Sequence, residues 1–270
     1  MLFFPIAFYT FERQFLNKDF MKRFFLFFPL FFLPLFVLGQ YSGLTDNEPE
    51  NGEWKHLIGN TFLENPYDQS PLVHQYDVKY YKLDVELYVE STFIKGSVRM
   101  GAEAVSQQVD TIAIELLNNM IVDSVFVNGA LNAFVHEDDH ILIALDEPQT
   151  EGSLFETQVY YQGTPSSSGF FSGLSSAAAG GFRVTWSLSS PYNARQWWPC
   201  KQILADKADS SFVLVTTNQP YMVGSNGLLD TVVSLDDNKV RYEWEHHYPI
   251  NYYLICLTVG PFAEYSFYAP

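Results

Sequence analysis

Residues 76–89, YDVKYYKLDVELYV, carry the clearest secondary-structure pattern of the chain. Apolar or aromatic residues at positions 81, 83, 85, 87 and 89 alternate with Lys82, Asp84, Glu86 and Tyr88. A two-residue period is typical of a β-strand that buries one face. The phase breaks at positions 80 and 81, so we predict a β-bulge there. This segment therefore indicates a half-buried strand and sets the fold class.

Comparable strand patterns recur along the rest of the chain. Asn128-Gly129 and Asp138-Asp139 are typical of tight turns between antiparallel strands. We predict strands at residues 93–104, 111–117, 121–127, 133–135, 141–145, 155–161, 182–188, 211–217, 228–234, 240–245 and 252–259. Strands at this spacing, without helical windows between them, favour an all-β fold, an antiparallel β-sandwich or saddle-like domain.

Two segments depart from the strand pattern. Residues 164–182, TPSSSGFFSGLSSAAAGGF, are rich in serine, glycine and alanine and have little to bury. Such a composition predicts a Gly/Ser-rich loop. Residues 200–209, CKQILADKAD, lack the two-residue alternation, and we predict a short helix there.

The N-terminal segment has the composition of an export signal. Residues 24–38 are apolar and uncharged, and Lys22 and Arg23 directly precede them. A basic start, an apolar stretch of ~7–15 residues and a small-residue exit are typical of a cleaved signal peptide. A membrane anchor is the alternative, although a bilayer span needs about 20 residues. We predict upstream residues and a signal peptide over 1–39, a flexible lead-in over 40–71, and export to the periplasm, the outer surface or the medium.

The charge balance argues against one class of partner. The chain has 15 basic and 31 acidic residues, a net charge of −16 at pH 7. Proteins that bind DNA or RNA present positive surfaces to the phosphates. We therefore expect no nucleic-acid partner, and membrane contact only through the signal peptide.

The two cysteines, Cys200 and Cys256, leave two alternatives open. Export permits a disulfide between them, and closing so long a loop could add roughly 4 kcal/mol of stability. The alternative is two buried free thiols, because cysteine packs as a small hydrophobic residue.

The sequence HEDDH at residues 136–140 matches the HExxH zinc signature. That signature works on a helix, where histidines four residues apart share a face and the glutamate activates the zinc-bound water. Here the flanking residues 133–135 and 141–143 have strand character, and Asp138-Asp139 favours a turn. We therefore predict a hairpin tip and no metal ligand in this chain.

Residues 187–210, SLSSPYNARQWWPCKQILADKADS, resemble the N-terminal β-domain of the aminopeptidase N family of zinc metallopeptidases, the gluzincins. The core at 194–200, ARQWWPC, is the most specific part. Residues 76–98, 221–229 (YMVGSNGLL) and 252–260 (YYLICLTVG) resemble the looser strand pattern of the same domain. The resemblance covers roughly residues 74–266, and we assign the domain to residues 72–270.

The resemblance implies that the catalytic groups lie in a different domain. In the family, the zinc, the general-base glutamate and the GxMEN segment belong to a following catalytic domain, and no GxMEN occurs in this sequence. We therefore expect a truncated enzyme or an isolated domain, without catalytic residues or bound cofactor. In a complete aminopeptidase, this hydrolase-family domain would cap the active-site cleft and help to bind the N-termini of peptides.

One candidate substrate-binding residue follows from the resemblance. A Glu or Gln five positions before the motif arginine helps to hold the free amine of the substrate in the family, and that position here is Ser190. Serine lacks the charge and the reach of glutamate, so this contact is expected to be weak. Arg195 itself we interpret as structural, paired with a carboxylate or stacked on tryptophan.

Two other functions remain open at this point. The chain could be a secreted binding or adhesion module that uses its aromatic surface on glycans or proteins. It could also be a non-catalytic relative of the peptidases, which the serine at position 190 favours.

Overall fold

Fifteen strands and three short 3₁₀ helices build the part of the chain that the structure, a computed structural model, describes: residues 69–166, 173–179, 181–189 and 191–264. The strands are β1 (Tyr76–Leu87), β2 (Ile94–Ala104), β3 (Gln108–Glu115), β4 (Ile121–Val127), β5 (Ala130–Asn132), β6 (Phe134–Glu137), β7 (His140–Thr150), β8 (Leu154–Gly163), β9 (Leu174–Ala179), β10 (Phe182–Ser187), β11 (Ser210–Asn218), β12 (Met222–Ser225), β13 (Leu228–Ser234), β14 (Lys239–His246) and β15 (Leu257–Gly260). The 3₁₀ helices are Pro71–Gln75, Ala194–Gln196 and Tyr252–Leu254. All these elements fall within one compact unit, Asp68–Pro261.

The predicted signal peptide, residues 1–39, lies outside the described residues, as do residues 40–68 of the predicted lead-in and Ser190. The first 3₁₀ helix begins at Pro71, and the side chain of Ser70 caps it by accepting a hydrogen bond from the Leu72 N–H. The described part of the chain contains no helix that is long and apolar enough to cross a bilayer.

The strands form three sheets. The largest has eight strands in the order β13-β14-β11-β1-β2-β8-β4-β5, and the others have the orders β12-β15-β10-β9 and β3-β7-β6. Among the described strands, β1 and β11 form a parallel pair, and every other pair is antiparallel. The prediction of an all-β, antiparallel-rich fold is confirmed.

The alternation in β1 produces the expected burial. Tyr81, Leu83, Val85 and Leu87 are buried and belong to a hydrophobic core to which all three sheets contribute. Burying a side chain of this size contributes about 1.5–3 kcal/mol, so β1 is a main source of stability. The register with β2 shifts between Val78 and Tyr80, so β1 has a bulge directly before the predicted position.

Both predicted turns are confirmed. Asn128 and Gly129 have φ angles of 48° and 82°, and Asp138 and Asp139 have φ angles of 48° and 60°. Two successive positive φ angles are characteristic of the type I′ turn, whose twist matches that of the flanking strands. Asn, Asp and Gly tolerate this conformation, which explains why these pairs occur here.

Three local predictions are wrong. The predicted loop at 164–182 contains strand β9, which pairs with β10 through backbone hydrogen bonds that need no large side chain. Residues 200–209 form no helix, because isolated β-bridges tie Cys200 to Glu115 and Ala208 to Ile250. The predicted strand at 252–259 begins as a 3₁₀ helix and becomes strand β15 only at Leu257.

Candidate functional site

The most specific sequence motif lies on a loop that contains the 3₁₀ helix Ala194–Gln196. We call residues 191–202 the motif loop. Ser190, the predicted substrate-binding residue, precedes it and lies outside the described residues. Its neighbour Ser189 is buried, and its hydroxyl accepts a hydrogen bond of 2.9 Å from the indole Nε1 of Trp197. The chain is therefore anchored immediately before position 190.

Arg195 is a structural residue. Its side chain is buried, and its Nη2 lies 3.9 Å from the Asp139 carboxylate at the tip of the β6–β7 hairpin. Its backbone carbonyl accepts from the Leu117 N–H at 3.0 Å, and its N–H donates to the Gln202 Oε1 at 3.2 Å. These contacts tie the motif loop to the neighbouring hairpin and agree with the structural interpretation of this arginine.

Both tryptophans of the motif are in the core. Trp197 and Trp198 are completely buried, and their ring centroids lie 5.9 Å apart. Trp198 packs edge to face against Tyr81 of β1, with 4.9 Å between the ring centroids. Aromatic pairs of this geometry add about 0.5–1.5 kcal/mol beyond the effect of burial. The motif loop is thus fixed to the largest sheet by its aromatic side chains.

A buried carboxylate holds the end of the motif loop. Glu115, at the end of β3, is completely buried, and its Oε2 accepts a 2.7 Å hydrogen bond from the Gln202 N–H. The same oxygen accepts from the Gln69 side-chain amide at 3.1 Å. The backbones of Glu115 and Cys200 exchange two further hydrogen bonds of 2.9 and 3.1 Å. Glu115 therefore fastens the loop through both its main chain and its side chain.

A buried ion pair anchors the segment that follows. The Lys201 ammonium contacts the Asp206 carboxylate and the Tyr76 carbonyl, and it lies 4.6 Å from the centroid of the Tyr76 ring. Asp206 also accepts from the Val78 N–H at 3.2 Å. Burial raises the pKa of Asp206 above its usual value, while the adjacent ammonium acts in the opposite direction. The pair links residues 201–206 to the first strand of the sheet.

The HEDDH segment is a hairpin tip. His136 lies on β6 and His140 on β7, so the two rings do not share a helical face. The His136 Nε2 donates to the Leu116 carbonyl at 2.9 Å, and the His140 Nδ1 donates to the Asp138 carbonyl at 2.6 Å. The His140 Nε2 accepts from the Ser70 N–H at 3.2 Å. Protein groups thus occupy both ring nitrogens of His140 and the Nε2 of His136, and the two rings lie on different strands, so this pair does not fit a zinc ion.

No metal centre is found elsewhere in the part of the chain that the structure describes, where no three His, Cys, Asp or Glu side chains are grouped to hold an ion. Cys200 and Cys256 are free thiols, as in the second of the two alternatives, but only Cys200 is buried, and Cys256 is partly exposed. Burial raises the pKa of Cys200 well above its usual value, and the Glu115 carboxylate raises it further. Such a thiol is protonated at neutral pH and is not a nucleophile.

The sequence patterns missed the two buried acidic groups. Glu115 and Asp206 are not among the candidate residues that the sequence indicates, yet their side chains are almost inaccessible to solvent. For Glu115 a signal was present, because it interrupts the otherwise apolar run IAIELL at residues 112–117. A single carboxylate in such a run indicates a buried acid with dedicated hydrogen-bond donors.

Comparisons with known proteins bear on this arrangement. The profile of the peptidase M1 N-terminal domain matches residues 77–254. A two-domain M1 zinc metallopeptidase, crystallised with L-arginine, is 24% identical with a TM-score of 0.63, over 69% of this chain and 43% of that protein. An M1 zinc metallopeptidase from Deinococcus radiodurans is 24% identical with a TM-score of 0.64, over 69% of this chain and 42% of that protein.

A mutant of the Deinococcus radiodurans metallopeptidase, bound to a Tyr-Ser-Ala substrate, is also similar, with 24% identity and a TM-score of 0.63 over 69% of this chain and 43% of that protein. At this level of identity the likeness establishes a shared fold. The chain spans less than half the length of these structures. No curated protein matches the chain at a significant level.

Proposed function

Because the chain belongs to the peptidase M1 N-terminal domain family, we propose that it serves as the non-catalytic N-terminal domain of an exported zinc-dependent aminopeptidase. In that enzyme it caps one side of the active-site cleft and helps to bind the N-terminus of the peptide. Its partner is a catalytic domain that supplies the zinc ion and the general base. The family match over residues 77–254 is the observation that carries the proposal.

The construction of the motif loop supports a capping role. A surface that shapes a substrate pocket has to be held rigidly by the residues behind it. Here the loop is held by the buried tryptophans, by the Glu115 carboxylate and by the Lys201–Asp206 pair. The rigidity comes from the core of the domain, so a neighbouring catalytic domain would contact a surface that is already ordered.

The chemistry of the available side chains supports a division between two domains. The histidines of HEDDH are engaged by main-chain groups, and the Cys200 thiol is buried and protonated. Neither group is suited to bind zinc or to attack a peptide bond. We assign the zinc and the catalytic residues to the catalytic domain.

The purified chain is expected to show no aminopeptidase turnover. A fluorogenic aminoacyl-amide assay with added zinc would measure it, because such substrates report cleavage next to a free amine. The matched control is a complete M1 zinc metallopeptidase assayed in parallel, whose turnover should disappear with a chelator. The proposal would be contradicted if the chain showed turnover that the chelator abolishes and that the His140→Ala variant lacks.

Ser190 is proposed to contact the substrate amine weakly, and a fusion of this chain to an M1 catalytic domain would test it. Ser190→Glu should raise kcat/KM for substrates with a free amine by roughly ten- to a hundredfold, because a charge-assisted hydrogen bond contributes ~1.5–3 kcal/mol. An N-acetylated substrate should not respond, and Ser190→Ala is the control, expected to change little. An equal kcat/KM for Ser190→Glu and the parent fusion would show that this position does not reach the amine.

A further inference from the structure

Two adjoining hollows lie on the solvent-facing side of the eight-stranded sheet. One has a volume of about 430 Å³ and is lined by residues of β1, β2, β4, β8 and β11. The other has a volume of about 450 Å³ and extends to the β4–β5 turn at Asn128-Gly129. Gln158 and Tyr160 line both, and we call the combined feature the sheet groove. Both hollows are open to solvent and are lined by polar and apolar surface in similar amounts, so a ligand would lie along the sheet groove and would not be enclosed by it.

The charged side chains of the sheet groove already have partners within the chain. Each acidic group has a basic or amide neighbour: Glu86 with Lys95 and Lys239, Asp84 with Arg241, Glu156 with Arg99, and Asp123 with Gln162. An anionic ligand would have to draw a lysine or arginine side chain away from its carboxylate. A neutral ligand can bind without breaking any of these contacts, so the charge distribution favours a neutral ligand.

The neutral polar groups of the groove are held in place and retain hydrogen-bonding capacity. The Gln158 amide accepts from the Arg99 Nη2 at 3.2 Å and donates to the Ser97 hydroxyl at 3.1 Å, which fixes its orientation and leaves one N–H. The Asn128 Oδ1 accepts from the Glu156 N–H at 2.9 Å, and its amide N–H groups have no partner among the described residues. The Tyr160 hydroxyl also has no hydrogen bond within the described residues. These groups match the donors and acceptors of hydroxyl-rich molecules.

Two aromatic side chains form one side of the sheet groove. The rings of Tyr160 and Phe126 meet edge to face, with centroids 5.7 Å apart and planes inclined by 72°. Tyr160 is 40% exposed although its neighbours in β8 alternate between buried and half-buried. The partly exposed Tyr160 ring lies beside fixed amide groups. This combination suits a sugar, whose edge carries hydroxyls and whose face presents C–H groups.

The position of the groove argues against two other classes of ligand. Strands β2 and β8 lie inside the sheet and have neighbours on both sides, so their backbones cannot add an extended peptide. The net charge of −16 disfavours nucleic acid. We propose that the sheet groove binds a neutral oligosaccharide, held by stacking on Tyr160 and by hydrogen bonds to Gln158 and Asn128. This inference does not depend on the proposed peptidase role.

Calorimetric titration with cellohexaose, hexa-N-acetylchitohexaose, maltohexaose and xylohexaose tests the proposal. We expect at least one of them to bind, with an affinity that is unchanged between low and high salt because the ligand is uncharged. Tyr160→Thr removes the ring while keeping a side chain suited to a strand, and it should weaken binding at least about tenfold. Tyr160→Phe keeps the ring and should weaken binding less. Tyr248→Ala removes another exposed aromatic, 74% exposed and outside the groove, and should bind like the parent.

Three results would overturn the proposal. The first is the absence of binding by all four hexasaccharides to the parent chain. The second is equal affinity of the parent and Tyr160→Thr for a hexasaccharide that binds. The third is a salt-sensitive preference for heparin, which would indicate an anionic ligand. Circular dichroism of each variant would establish that it is folded before its affinity is compared.

Discussion

Replacing Asp206 by alanine is expected to lower the free energy of unfolding by about 3–5 kcal/mol, because it leaves the buried Lys201 ammonium without its counter-charge. Among the described residues, the Tyr76 carbonyl and ring are the contacts that would remain next to this ammonium. The Val78 N–H would also lose its acceptor. Urea unfolding followed by circular dichroism would measure the change.

Two comparisons isolate the ion pair from the mere loss of a side chain. Asp209→Ala removes an exposed carboxylate three residues away and should change stability by less than about 0.5 kcal/mol. The double change Lys201→Met and Asp206→Leu replaces both charges with apolar groups and should recover much of the loss. If Asp206→Ala and Asp209→Ala had the same stability, the buried pair would not anchor residues 201–206.

The strands could be predicted because their signal is local. In β1, Leu83 and Val85 alternate with Asp84 and Glu86, and burial of one face follows directly from that order. The parallel pairing of β1 with β11 could not be predicted in this way, because it joins residues about 130 positions apart, such as Tyr80 and Ser210. Strand β9 was missed because Ser175 and Ala177 have low strand propensity, and its pairing with β10 decides the outcome.

The candidate site could be predicted only in part, because several of its contacts also join residues that are far apart in sequence. The motif loop was found through its resemblance to a family, whereas the burial of both tryptophans of ARQWWPC was established by the structure. The groups that hold the loop come from distant parts of the chain: Glu115 lies 87 positions before Gln202, and Tyr76 lies 125 positions before Lys201. The alternation of apolar and polar residues along a strand contains no information about such pairs. The burial of Glu115 and Lys201 could therefore be established only from the structure.

The adjacent tryptophans of the motif loop are expected to respond differently to the same substitution. Trp197→Ala and Trp198→Ala should each lower the free energy of unfolding by about 3–5 kcal/mol, because both side chains are completely buried. Substitution by phenylalanine should reveal a difference in stability between the two positions. Trp197→Phe leaves the buried Ser189 hydroxyl without its 2.9 Å donor, whereas Trp198→Phe removes an indole N–H that has no partner among the described residues.

We therefore expect Trp197→Phe to be less stable than Trp198→Phe by about 1 kcal/mol, as measured by urea unfolding of the two variants under identical conditions. The two positions form a matched pair, since the side chains have the same size and are equally buried. The double change Ser189→Ala and Trp197→Phe should be close in stability to Trp198→Phe, because it removes both partners of the hydrogen bond. Equal stability of the two phenylalanine variants would show that the Ser189–Trp197 hydrogen bond does not help to fix the chain on either side of position 190.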